Sequence, residues 1–168
     1  MGGGRGTTSR LGRFGEILAV AGALVLLAWA FRHTERAAAR TYDILVLVNR
    51  SNPVRSLDHN ELRQIFQTTR MTWSTGEKIL PFNLPKSDPV RRTFDQTVLQ
   101  MRPKRVERFW IDRKIRGGNP PPRRLSTASL VVTMVARKKN AIGYVRSRST
   151  TRAVKVVARI RGARILPP

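Results

Sequence analysis

Tyr42-Asp43-Ile44-Leu45-Val46-Leu47-Val48-Asn49, ended by Ser51-Asn52-Pro53, is the stretch from which the fold is read. It is a short apolar run rich in β-branched residues and bounded by turn formers. That pattern predicts a strand buried on both faces.

Toward the C-terminus a helix start follows at once. Asp58 is a capping residue, Glu61 three positions on completes a capping box, and Leu57 with Leu62 forms a hydrophobic staple. Leu62, Ile65 and Phe66 give one apolar stripe, so a helix is expected over 58–67. Trp73-Ser74-Thr75-Gly76 reads as a turn with an aromatic anchor, and Lys78 to Leu84 as a second strand. Pro81 places that strand at an edge or an end, or makes it irregular. Ser87-Asp88-Pro89 opens another helix, with a capping residue before a first-turn proline. Val90, Phe94 and Val98 share one face of it, extended by Leu99 and Met101.

Arg102-Pro103 ends that helix and starts the next, lined by Val106, Phe109, Trp110 and Ile115. Gly117-Gly118-Asn119-Pro120-Pro121-Pro122 is a loop. Ser126 is the expected cap of a helix carrying Leu130, Val131, Met134 and Val135, with Lys138, Lys139 and Asn140 at its C-terminal end. Ile142 to Val145 is a short strand broken by Gly143, Ala153 to Ile160 a final strand, and 161–168 a loose tail. Strands alternating with helices predict an α/β layered domain.

Toward the N-terminus, Ile17 to Phe31 is uncharged and apolar, and Arg5, Arg10 and Arg13 precede it. That is the layout of a secretory leader. Its length falls short of the roughly twenty residues that span a bilayer. Ala28-Trp29-Ala30 and Ala37-Ala38-Ala39 offer small-x-small cleavage patterns, whereas Arg32, Arg36 and Arg40 argue for retention as an anchor. A cleaved leader, an uncleaved inner-membrane anchor and a buried helix of a cytosolic protein all stay open. The first two place the rest of the chain in the periplasm or cell envelope.

The net charge of +23 is spread over short clusters, with no block long enough to be a disordered basic arm. On an exported protein it favours anions or acidic partners. Nucleic acid would be the partner only of a cytosolic chain. The chain has no cysteine, so disulfides, cysteine-ligated metals and thiol nucleophiles are excluded. Its two histidines are His33, at the leader boundary, and His59, expected exposed in a first helical turn. The acidic residues show no paired spacing for metal or acid–base work, and Ser126, Ser129 and Ser147 have no histidine companion. The residues therefore point away from an enzyme, and no cofactor or metal is expected.

Val48-Asn49-Arg50-Ser51-Asn52-Pro53, the helix ending Ile65-Phe66, the turn with Trp73 and Gly76, Phe94, Trp110, Gly117-Gly118-Asn119 and Asn140-Ala141-Ile142-Gly143-Tyr144-Val145 follow one another in order. This series resembles the phosphate-binding proteins of ABC transporters, over about 42–160. The resemblance implies a periplasmic-binding-protein-like (type II) fold, a central mixed sheet flanked by helices, of which this chain would hold one lobe. With the apolar N-terminal run and the loose tail, the chain is expected to divide into three segments: a leader or anchor over 1–40, the lobe over 41–160 and a tail over 161–168.

Phosphate or a similar small oxyanion would be the ligand, and an ABC permease or another envelope protein the partner. The family places Ser-Gly-Thr at a helix N-terminus ahead of a Phe. Aligned on Phe94, this chain reads Asp88-Pro89-Val90, without the hydroxyls and with one N–H fewer. The ligand residues expected around that helix start are Ser87, Arg91, Arg92 and Thr93. Asn49 and Arg50 are added because ligands of open α/β sheets sit beyond the strand C-terminal ends. The alternative is a non-receptor envelope protein whose basic lobe meets an anionic partner or surface; the second alternative is a basic nucleic-acid-binding protein.

Overall fold

Six strands form one mixed sheet in the order β3-β2-β4-β1-β5-β6. They appear in a computed structural model that describes residues 43–147 and 152–168. The leader, its cleavage patterns and His33 lie outside the described residues. Among the described residues no helix is long and apolar enough to cross a membrane.

The strands are β1 (Ile44–Asn49), β2 (Leu80–Asn83), β3 (Arg123–Arg124), β4 (Ala141–Arg146), β5 (Val154–Arg161) and β6 (Arg164–Leu166). All six residues of β1 are buried, as a strand covered on both faces requires. It runs antiparallel to β4 on one side and to β5 on the other, with a register shift at Val46/Leu47. In contrast, β2 is parallel to β4 and to β3. Pro81 pairs near the start of β2, which has neighbours on both sides and is therefore not an edge. The segment expected as a loose tail forms β6 instead, hydrogen-bonded to β5 through a tight turn at Gly162, whose φ of +61° suits glycine.

The helices are α1 (His59–Phe66), α2 (Pro89–Phe94), α3 (Pro103–Ile115) and α4 (Ala128–Arg137). The capping box at α1 is complete, with Asp58 accepting from the Glu61 N–H and the Glu61 side chain accepting from the Asp58 N–H. A π-helical turn, Asp95–Leu99, continues α2 and ends at Gln100 in the left-handed region. Nothing in the sequence pattern had pointed to it. The turn keeps both Val98 and Leu99 buried and gives the Val98 carbonyl to His59, whose Nε2 lies 3.0 Å away. His59 is accordingly half-buried and bonded, not exposed.

Three further expectations are corrected. Thr127, not Ser126, caps α4, its hydroxyl accepting from the Leu130 N–H. Ile115 does not line the core and is 78% exposed. Gly143 does not break β4. A Cβ there would come within 2.5 Å of Val131 Cγ1, so glycine is what lets α4 lie close against an unbroken strand. Under this layer sits an aromatic trio: Phe94 and Tyr144 stack at 3.7 Å between centroids, with Phe66 edge-on to both.

Candidate functional site

The registers divide the sheet into two ends. Asn49 at the end of β1 lies with the starts of β2, β4 and β5, because Val48 pairs with Ile142, Asn49 with Val154, and Leu80 with Ala141. The C-terminal ends of β2, β3 and β4 lie at the opposite end, where Asn83 pairs with Arg124. The expected site residues are therefore not brought together. Asn49 and Arg50 stand at one end and 87–93 at the other. The rule placing ligands beyond strand C-termini assumes parallel strands, and β1 runs against β2, β3 and β4.

Asn49 is also fully engaged. Its amide donates to the Val135 and Ala136 carbonyls at 2.9 and 2.7 Å, tying down the last turn of α4. Its carbonyl accepts from the Ser51 N–H and hydroxyl. Arg50 is exposed and donates to the Arg152 carbonyl.

At the β2 end, the start of α2 does not offer a bare helix terminus. The Asp88 carboxylate already accepts from the Val90 N–H at 2.8 Å, and Pro89 has no N–H to give. Thr93 donates its hydroxyl back to the Pro89 carbonyl at 3.1 Å. Ser87 and Arg92 are exposed. Arg91 is the exception, with 7% of its surface exposed. Its Nε donates to both oxygens of Asp95, at 2.8 and 2.7 Å, and Nη1 to the Leu84 carbonyl at 3.4 Å. Burial pushes the Asp95 carboxyl above its ordinary value, although the Arg91 charge and hydrogen bond pull the other way. Burial likewise raises the Tyr144 phenol, whose hydroxyl donates to Asn83 Oδ1 at 3.2 Å.

A cleft of about 620 Å³ opens beside this group. Asn83, Arg91 and Lys86 line it from β2, α2 and the turn between them. Val106, Glu107, Trp110, Ile111 and Lys114 line it from α3, Arg124 lines it from β3 beside Asn83, and the Gly118–Pro122 loop completes the lining. Lys86 pairs with Glu107 at 3.1 Å, an exposed and therefore weak bridge. Lys114 and Arg124 have no ion-pair partner among the described residues. The loop is held from behind. Thr68, at φ +54°, turns its carbonyl to accept from Arg113 Nη2 and Asn119 Nδ2, both at 3.0 Å. A β-branched residue in that conformation is strained. The two bonds to its carbonyl offset the cost and fix where the loop meets α3.

Of the expected residues, Arg91 lines the cleft, Ser87 adjoins its wall residue Lys86, and Arg92 and Thr93 follow on α2. Asn83, Lys86, Lys114 and Arg124 were not anticipated. Asn83 had a readable signal, since β2 ends in Asn as β1 does. Arg124 had none, because a two-residue strand leaves no periodicity. Among the described residues no group of three His, Asp or Glu is placed to hold a metal ion.

No protein-family model and no curated protein sequence matches the chain. Solved structures do match in fold. An ABC-type phosphate transport receptor from Vibrio cholerae superposes with a TM-score of 0.57 at 18% identity, covering 70% of this chain and 46% of the receptor. A Clostridium perfringens protein with bound phosphate, assigned as a phosphate ABC transporter substrate-binding protein, gives 0.57 at 17% identity, covering 70% of this chain and 45% of that one. PstS from Borrelia burgdorferi gives 0.53 at 10% identity, covering 70% and 47%. This likeness is one of fold: a central mixed sheet flanked by helices, matching a single lobe of a periplasmic-binding protein. The chain spans less than half the length of these proteins.

Proposed function

We propose that this chain is a substrate-binding-protein-like module that holds phosphate or a similar small oxyanion in the cleft beside Arg91. The observation carrying this reading is the convergence of Arg91, Lys86, Lys114 and Arg124 on one concavity at the C-terminal ends of β2 and β3. The receptor-like fold supports it. Arg91 is the fixed element. Its guanidinium is oriented by Asp95 and by the Leu84 carbonyl, so little side-chain entropy is lost when an anion arrives. Lys86 and Arg124 add mobile charge, and the Ser87 hydroxyl and the Asn83 amide supply donors. Arg92 and Thr93 flank this group on α2.

In this reading the module works outside the cytoplasm, where a permease or another envelope protein meets it. A single lobe leaves the anion partly hydrated, so affinity is low unless a second wall covers the cleft. Calorimetric titration of the purified chain with inorganic phosphate tests the proposal. The expected result is saturable heat in the millimolar range, weakened by Lys86→Ala combined with Arg124→Ala and left unchanged by Arg137→Ala. Absence of both heat and thermal shift at millimolar phosphate overturns it.

A further inference from the structure

The cleft is much larger than the ion just assigned to it. One water takes about 30 Å³ of liquid volume, and phosphate is only a phosphorus with its oxygens, whereas the cleft measures about 620 Å³. That volume falls within the range of roughly 300–1,000 Å³ typical of sites for organic ligands. The lining is also of two kinds. Lys86, Arg91, Arg124 and Asn83 gather near β2 and β3, while Val106, Trp110 and Ile111 on α3, where Glu107 and Lys114 also line the cleft, join the Pro120–Pro122 run in an apolar wall. Ile111 is 58% exposed, a large apolar side chain left in water beside a charged group. A bare oxyanion would touch the first kind of surface and leave the second wet.

From this we infer that the ligand is an organic oxyanion: an oxygen-rich anionic head seated by Arg91, Lys86 and Arg124, carrying an apolar or aromatic body that lies on Trp110, Ile111 and the proline run. This rests on the oxyanion reading above and narrows its substrate class. The head supplies charge-assisted hydrogen bonds. The body removes the exposed apolar wall from water, a gain proportional to the area covered. Trp110 and the prolines suit a flat body, since they are rigid and lose little freedom on contact.

The experiment compares inorganic phosphate, phenyl phosphate and benzyl alcohol by calorimetry on the full chain. Phenyl phosphate is expected to bind at least about tenfold more tightly than phosphate, and benzyl alcohol not at all. Ile111→Ser, a change at an exposed position, should remove most of the tenfold advantage while leaving the affinity for inorganic phosphate within about twofold. Arg124→Ala should weaken both anions alike. Equal affinity for phosphate and phenyl phosphate overturns the inference and leaves the oxyanion reading standing. Benzyl alcohol binding as well as phenyl phosphate overturns the anionic head. Binding of neither anion overturns both readings together.

Discussion

Asn49 ends β1 and Asn83 ends β2; both are buried, and both follow an apolar strand. Asn49 has every polar atom of its side chain engaged, with two bonds into the last turn of α4 and two from Ser51. Asn83 makes one side-chain bond among the described residues, from the Tyr144 hydroxyl, and lines the cleft. The residue type is the same, and strand direction separates the two. At the β1 end the sheet meets the C-terminus of α4, whose last carbonyls need donors. At the β2 end three parallel strands finish together, and the chain must turn away into α2, α3 and the proline loop. One end is closed by its own hydrogen bonds, and the other is left concave and cationic.

The largest effect is expected where the concave end is held from within. Asp95→Ala leaves the Arg91 guanidinium buried without its counter-charge, and breaking such a pair costs about 3–5 kcal/mol. Denaturant midpoints should show it, and Asp95→Asn should lose less because it keeps an acceptor for Arg91 Nε. A loss below about 1 kcal/mol, the scale of a surface bridge, would mean that Arg91 swings out to solvent and is not a fixed element of the cleft.

The closed end gives the next effect. Asn49→Ala removes the donors to the Val135 and Ala136 carbonyls and the acceptor for Ser51. A loss of about 2–3 kcal/mol follows from the usual penalty for unsatisfied buried groups. Phosphate binding should be unchanged in the variant, measured well below its melting temperature. A specific loss of phosphate affinity would join the two ends and break the comparison.

These two asparagines also show how far the sequence can be read. The buried β1 run, the Asp58–Glu61 capping box and the Asp88-Pro89 helix start are local patterns, and the structure places each within a residue or two of its expected position. The direction of β1 relative to β2 is not local. It depends on which strands pair, and no residue near Asn49 encodes that, so grouping Asn49 with Arg91 placed residues from opposite ends in one site. The π turn at Asp95–Leu99 escaped for a related reason. Apolar residues at 90, 94 and 98 fit an ordinary helix equally well, and the widened turn is where the Val98 carbonyl meets His59 of α1, a contact no local pattern encodes. Arg91 itself was legible as a residue of interest but not as a buried one, because an arginine in a basic sequence looks solvated until Asp95, one turn on, is seen to face it.

The smallest effect is in pH dependence, and it sharpens what the concave end is made of. Asp95 titrates above its ordinary value of 3.8 in the folded chain because burial outweighs the attraction of Arg91. Between 3.8 and the raised folded value, the folded state therefore binds more protons than the unfolded one. Stability rises with pH wherever the unfolded state binds more protons, so the Asp95 contribution runs the other way: it falls as pH rises through this interval. Above the interval the full penalty is present, and below it both states are protonated and the penalty is gone. Other paired carboxylates, such as Glu61 beside Arg70 and Asp43 beside Arg161, are common to both proteins. Subtracting the Asp95→Asn stability curve from that of the wild type cancels them. The difference should decline with rising pH across the acid range. A difference that climbs with pH would mean that Arg91 wins over burial. Its charge would then be largely neutralised by Asp95, and the cleft would depend on Lys86 and Arg124 to hold an anion.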